Sequence, residues 1–521
     1  MPASESGDGV RIDDLPVIDT DVLVVGAGPT GLMAAVVLNR RGLAAVVVDR
    51  KAGPTRESRA LAVQARTMEI YDQLGLADKV LAGAFPATRL QIGAETATAG
   101  TNDISRLQKG ATRFPGVQIF EQSRNEQLLA DTLVAVGGDI RWRHRLIDLI
   151  DNTDRPDGRV EALIESEDGT LSRVRARWCI GADGASSAVR RQLNLPFEGK
   201  TDEATFWVAD VRDVQGVPEN AVNLRFGKST FAVVFPLGPH GHIRLVALAA
   251  QETIAQEEAL ASADTEFGLT HGAVEWFSAY RVHHRIASKF RVGSIFLAGD
   301  AAHVHSPVGG QGMNTGLQDA HNLAMLLADV AHGRVSERAL DRYERERRRV
   351  ALILVNVTDR AFGVIGRRGR MTALFRNRYG RIAAKVVPRL FKSRFGARIG
   401  GYLGQYRIRY HYVGAGHLPA WADDPAVGRR LAPVEANQEA LKTMTWQLHT
   451  YGAGAAVRPD VPAWVEGPHA FGADPHRRLR SDRLYLVRPD QFVAASIPLQ
   501  GDTADGAALK SAMAAHRLVT D

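Results

Sequence analysis

Residues 21–49 read DVLVVGAGPTGLMAAVVLNRRGLAAVVVD. The run VLVV is continuously apolar, as suits a strand buried on both faces of a parallel sheet. Leu32, Ala35, Val36 and Leu38 then recur at helical spacing, and the helix they predict ends near Gly42. A second apolar run, AAVVVD, closes the segment on Asp49. Two further runs of this kind, WCIGADG from 178 and SIFLAGD from 294, predict strands that also end at an acid. After the second, GMNTGLQDAHNLAMLLADV places Leu317, Ala320, Ala324 and Leu327 on one helical face. Between 201 and 290 the pattern changes to alternation: ATFWVADV, AVNLRFG, TFAVVFPLG and HIRLVALAA predict a largely antiparallel sheet.

Gly26, Gly28 and Gly31 form G-x-G-x-x-G between the first strand and its helix, with Pro29 and Thr30 inside the motif. The first glycine permits the tight turn, the second lets backbone N–H groups approach a pyrophosphate, and the third lets helix and strand pack closely. The helix N-terminus adds partial positive charge. Asp49, followed by Arg50, ends the second strand where a ribose hydroxyl would be bound. Strand, helix, second strand and terminal acid together predict dinucleotide binding. FAD and NAD(P) both fit this unit. No second G-x-G-x-x-G lies between a strand and a helix, so one dinucleotide is resident.

A chain of 521 residues implies roughly two to four domains. Its 45% hydrophobic and 24% charged content is that of a globular protein. The single cysteine, Cys179, excludes a disulfide framework and a CxxC redox pair, and makes a reducing compartment the expectation. No apolar run approaches the ~20 residues of a membrane span. Residues 1–19 read as a flexible tail without the apolar core of a signal peptide, so a cytoplasmic protein is expected. Fourteen Lys and Arg fall between Arg360 and Arg409, where no Asp or Glu occurs, so that segment accounts for the formal charge of +7. It suits a solvated helical face or a surface for an anionic partner. No nucleic-acid motif accompanies it, and no nucleic-acid partner is expected.

The order of G-x-G-x-x-G, strand-DG at Asp183 and strand-GD at Asp300 with its GMNTG helix resembles the class A flavoprotein monooxygenases, the para-hydroxybenzoate hydroxylase type. ESRALAVQARTMEIYDQLG and FEQSRNEQLL are similar to segments of the aromatic polyketide and phenol hydroxylase branch. The resemblance implies an α/β fold with a discontinuous Rossmann-like FAD domain over 20–200 and 290–365. Residues 201–289 would be an inserted substrate-binding sheet and 366–414 a basic helical segment. Residues 415–521 would form a thioredoxin-like C-terminal domain lacking CxxC. It further implies Asp49 on the adenosine ribose, Arg59 and Gln122 near the pyrophosphate and ribityl chain, and Asp183 near the pyrophosphate and the approach of NAD(P)H. Asp300 would hold ribityl hydroxyls. Gly310 and Gly312 would tolerate movement of the flavin, and Gly312, Met313 and Asn314 would lie against its ring.

The activity implied is NAD(P)H-dependent hydroxylation of a small aromatic substrate, phenolic and polycyclic or polyketide in type, by O2 through a flavin C4a-hydroperoxide. NADPH is the favoured reductant, and a homodimer is a compatible state. No residue stands out as an obligatory catalytic base. The candidates are Pro307, on the loop from Ser306 to Gly312 that would shield the reacting atoms, and Arg225, which would meet a phenolate or carboxylate. Phe206, Trp207, Phe226, Phe231 and Phe235 are placed to stack on a flat substrate or to fill the core. His303 and His305 sit beside an Asp300 that is otherwise engaged, and the adjacent His283 and His284 point to opposite faces of a strand, so no metal site is expected. Without WxWxIP a flavin-dependent halogenase is disfavoured, and without paired cysteines a disulfide reductase is excluded. A Baeyer–Villiger oxygenase and a non-catalytic FAD-binding protein remain alternatives.

Overall fold

A computed structural model describes residues 14–520, except 57–59, 156–157, 228–229, 250, 252, 306–309, 366–393, 412–418, 435 and 453–456. Arg59, Pro307 and most of the expected basic segment therefore lie outside the described residues. The first sheet is built on five parallel strands in the order Ile295–Leu297, Leu171–Gly181, Val17–Val25, Ala45–Asp49 and Asp139–Trp142. Their apolar runs are needed because both faces are covered: Val22, Leu23, Val24, Val46, Val47 and Val48 are all buried. Helix Pro29–Arg40 packs on helices Gln122–Ala135 and Gly312–Ala331. Asp49, Asp183 and Asp300 all lie at or just past the carboxyl ends of parallel strands, so the topology delivers three acids to one edge.

The second sheet has eight strands, antiparallel except where Ala221–Phe226 runs parallel to Arg89–Ala94. The expected boundaries of 201–289 are thus too narrow. Arg89–Ala94 and Ala97–Asp103 join from the first half of the chain, because the edge strand Ala221–Phe226 offers them its unpaired backbone groups. At the opposite edge the two-residue strand His303–Val304 pairs with Arg285 and Ile286, tying the GD loop to this sheet. Period-two alternation sends Trp207, Ala209, Leu245 and Ala247 to one face, packed on helix Gln256–Phe267, and Phe206, Phe231, Val246 and Val282 to the other.

The C-terminal part holds a five-stranded sheet in the order Glu466–Phe471, Gln447–Tyr451, Arg483–Val487, Val493–Gln500 and Thr503–Ala504, followed by helix Gly506–Ala515. Its first pair is parallel and the others are antiparallel. Among the described residues no helix connects the parallel pair. The hairpin turn 488–491 is buried against the rest of the molecule. Arg66 donates to the Asp490 carbonyl at 2.8 Å, Arg488 pairs with Glu346 at 3.0 Å, and Asn322 donates to Asp490 at 3.0 Å. No described helix is long and apolar enough to cross a membrane.

Candidate active site

One cavity of about 1100 Å³ runs from the first glycine loop to the apolar face of the second sheet. Gly26, Gly28, Pro29, Thr30, Asp49, Arg50, Gln122, Asp183, Asp300, Gly310, Gly312 and Met313 all line it. These twelve sequence-predicted residues, drawn from five separated segments, therefore converge on one space.

The glycine loop divides its work as its geometry dictates. Gly26 has φ +107°, and a Cβ there would strike the Ala182 carbonyl. A Cβ on Gly31 would strike the Gly26 carbonyl, so this residue serves packing and does not face the cavity. A Cβ on Gly28 would meet nothing within 4 Å, leaving room for a ligand against the backbone. Asp49 is drawn into the loop: its carboxylate accepts from Ala27 N–H at 2.6 Å and Lys51 N–H at 2.8 Å.

Lys51 and Glu126, missed in the sequence, brace the next segment. Buried Glu126 accepts from Lys51 Nζ at 3.0 Å, Thr55 N–H at 2.7 Å and Gln122 Nε2 at 2.9 Å. The i, i+4 spacing of Gln122 and Glu126 on one helix was the available signal.

Asp183 turns Oδ2 toward Ala188 N–H at 2.6 Å, capping the short helix Ala188–Gln192, while Oδ1 is buried without a protein partner. Burial pushes its carboxyl above the ordinary range, against the hydrogen bonds from Ser187 and the backbone. Asp300 keeps an exposed surface, and it opens onto the cavity. Its carboxyl is also raised, first by burial, with His303 opposing and Asp319 adding.

His303 and His305 part company. His303 is buried, and its Nε2 lies 2.7 Å from Asp319 Oδ2, while Asp319 Oδ1 accepts from Arg347 Nε at 2.6 Å. Burial disfavours ionisation of Asp319, but Arg347 and His303 outweigh it and hold the carboxyl below its ordinary value. Asp319 also accepts from Gly299 N–H at 3.2 Å, so the GD loop and the long helix share one buried ionic knot. His305 lines the cavity instead. Among the described residues no group of three or more His, Cys, Asp or Glu could hold a metal.

Two expected site residues are corrected. Asn314 is fully buried and does not line the cavity; its amide donates to the carbonyls of Ala62 and Gly310 at 2.7 and 2.8 Å and accepts from Gln64 N–H at 2.9 Å. It secures the start of the helix, and Met313 beside it lines the cavity. Arg225 points away from the cavity, and its guanidinium is spent on the carbonyls of Glu95, Phe267 and Gly216 at 3.4, 3.3 and 2.9 Å. Alternation alone could not say which face of its strand met the substrate space.

Of the five aromatics singled out, Phe206, Phe231 and Phe235 line the cavity, Trp207 packs on the opposite face, and Phe226 sits in the same apolar layer outside the cavity. Trp276 and Tyr280 complete the wall; Phe206 stacks on Tyr280 at 6.1 Å and meets Phe231 edge-on at 5.9 Å.

A match to the family described as "FAD binding domain" spans residues 19–358. The chain is 33% identical over 528 residues to 6-methylpretetramide 4-monooxygenase of Streptomyces rimosus, covering 92% of this chain and 91% of the relative. Among solved structures it is similar to the anhydrotetracycline hydroxylase from Streptomyces rimosus, with TM-score 0.75 at 26% identity over 97% of this chain and 100% of that one. An aromatic hydroxylase from angucycline biosynthesis gives TM-score 0.76 at 28% identity, again covering 97% and 100%.

Proposed function

The chain belongs to the FAD-binding domain family, and on that premise we propose that it is an FAD-dependent monooxygenase that uses NAD(P)H, NADPH by preference, and O2 to hydroxylate a phenolic, polycyclic aromatic substrate. The observation that carries this reading is the single cavity, polar and glycine-lined at one end and walled by aromatic rings at the other. The polar end suits FAD on two counts. Asp183 leaves a buried Oδ1 with no protein partner, and Gly28 leaves open space beside its backbone. Asp49, Gln122 and Asp183 would hold the adenosine and pyrophosphate, Asp300 the ribityl chain, and Gly312 and Met313 the ring.

Bound FAD would supply the redox chemistry, accepting electrons from NAD(P)H and activating O2. The protein's part is orientation and exclusion of water. Phe206, Phe231, Phe235, Trp276 and Tyr280 offer a flat aromatic substrate a stacking surface facing the ring site. The long helix beginning at Gly312 directs its N-terminal N–H groups toward that site, where they would stabilise negative charge. The test is a screen of hydroxylated aromatics for those that accelerate NAD(P)H consumption, with mass detection of a product heavier by one oxygen atom. No aromatic that speeds flavin reduction, in stopped-flow measurement, would leave a non-catalytic FAD-binding protein.

A further inference from the structure

The sheet side of the substrate half of the cavity is mainly apolar, with Ser278, Tyr280, Arg281 and His283 as its polar groups. The GD loop adds a further polar group to this wall. His305 lines the cavity with Gly312 and Met313, at the start of the long helix. A Cβ on Gly312 would lie 3.7 Å from His305 Nε2, so the imidazole rests against the first turn. The ring is also held in place. It lies 6.4 Å from the His303 ring at an interplanar angle of 10°, and His303 is itself fixed by Asp319 and stacked on Phe290 at 5.9 Å.

The other groups around this space suit the task less well. His283 is exposed and its Nδ1 lies 2.9 Å from Thr201 Oγ1, and His144 Nδ1 lies 2.7 Å from the Trp142 carbonyl. Tyr280 has a phenolic hydroxyl no more basic than the substrate's, and Arg281 carries no lone pair for a proton. Asp300 stands at the ribityl end, and a carboxylate is a far weaker base than imidazole toward a phenol. Asp319 and His303 bond to each other behind the loop, and Arg285 lies on the strand paired with Val304.

Resting on the monooxygenase reading above, we propose that His305 is the general base of the hydroxylation. The phenolic O–H bond breaks, the proton passes to the imidazole, and the electron pair stays on the phenolate oxygen, enriching the ring where oxygen is to be added. When the ring regains aromaticity the hydrogen at the hydroxylated carbon leaves as a proton, and the imidazolium returns its own to the phenolate. NAD(P)H provides two electrons, one atom of O2 enters the product, and the other leaves as water.

The test uses the FAD-loaded enzyme and alizarin, a hydroxyanthraquinone whose colour reports its ionisation. Bound to the native protein, the dye should ionise about one pH unit below its value in water, a tenfold gain in acidity. His305→Gln should abolish that shift while keeping its flavin absorbance, and should remove the acid limb from the pH profile of kcat/KM. An unchanged shift in His305→Gln overturns the proposal. If that variant loses FAD, the native enzyme still decides, because a kcat/KM profile with no acid limb between about pH 5 and 8 overturns it equally. Failure of alizarin and other hydroxylated polycycles to bind the native holoenzyme instead overturns the substrate reading beneath it.

Discussion

Asp300 combines a raised carboxyl with a view of the cavity. A ribityl hydroxyl donating to it would stabilise the charged carboxylate. Asp300→Ala is therefore expected to purify largely without FAD, measured as visible flavin absorbance per protein. Full yellow occupancy would sink its assigned role. Arg225 leads to the opposite expectation. Three carbonyls lose their donor in Arg225→Met, so stability should fall by roughly 1–3 kcal/mol, seen as a lower Tm, while the KM for the aromatic substrate stays as it was. A raised KM at constant Tm would return Arg225 to the substrate site.

At the level of elements, the glycine loop separates ligand contact from packing. Gly31→Ala places a Cβ on the Gly26 carbonyl and forces helix Pro29–Arg40 off its strand. The apoprotein itself should lose stability and, in large part, solubility. Gly28→Ala meets no protein atom within 4 Å, so it should fold normally and bind FAD more weakly. Calorimetry of the two apoproteins, with flavin titration of each, distinguishes the cases; equal stability would remove the distinction. The G-x-G-x-x-G spacing was readable because strand, turn and helix are contiguous, and each glycine answers to neighbours within a few residues or to one parallel strand. The aromatic wall was only half readable. Period two states that Phe206 and Trp207 face opposite ways, but the side facing the cavity is set by helix Gln256–Phe267 covering the other.

Across the whole molecule, the C-terminal hairpin is locked into the FAD-binding part by charge. Arg488 reaches Glu346 and Asp490, all three buried. Arg488→Met would leave two carboxylates without it in the interior, at an expected cost of about 3–5 kcal/mol. Chemical denaturation with the native chain as reference measures this. Buried histidines, His321, His449 and His516, contribute to the pH response. Burial, with Arg66 and Arg347 adding, lowers His321 from its ordinary 6.5 to about 3, and burial, with His469 adding, does the same to His449. Folded, both stay neutral where the unfolded chain binds protons, so their contribution is fully present above about pH 6.5 and is lost as pH falls toward 3. Unfolding free energy should decline through that window by up to about 1.4 kcal/mol per pH unit for each, read as a falling Tm, and His321→Gln should flatten part of the slope.

The sequence by itself determined four of the five parallel strands, the acids Asp49, Asp183 and Asp300 at or just past the ends of three of them, and the helix that starts at Gly312. Each is written in a contiguous run whose hydrophobic period and glycines admit few other structures. The tertiary structure decided what depends on distant partners: the closing strands Arg89–Ala94 and Ala97–Asp103, the exclusion of Arg225 and Asn314 from the cavity, and the different surroundings of the histidine pair. His303 and His305 are two residues apart and chemically identical. Only the arrival of Asp319 on one and of the open cavity on the other tells them apart, because a side chain's chemistry is set by what surrounds it in space.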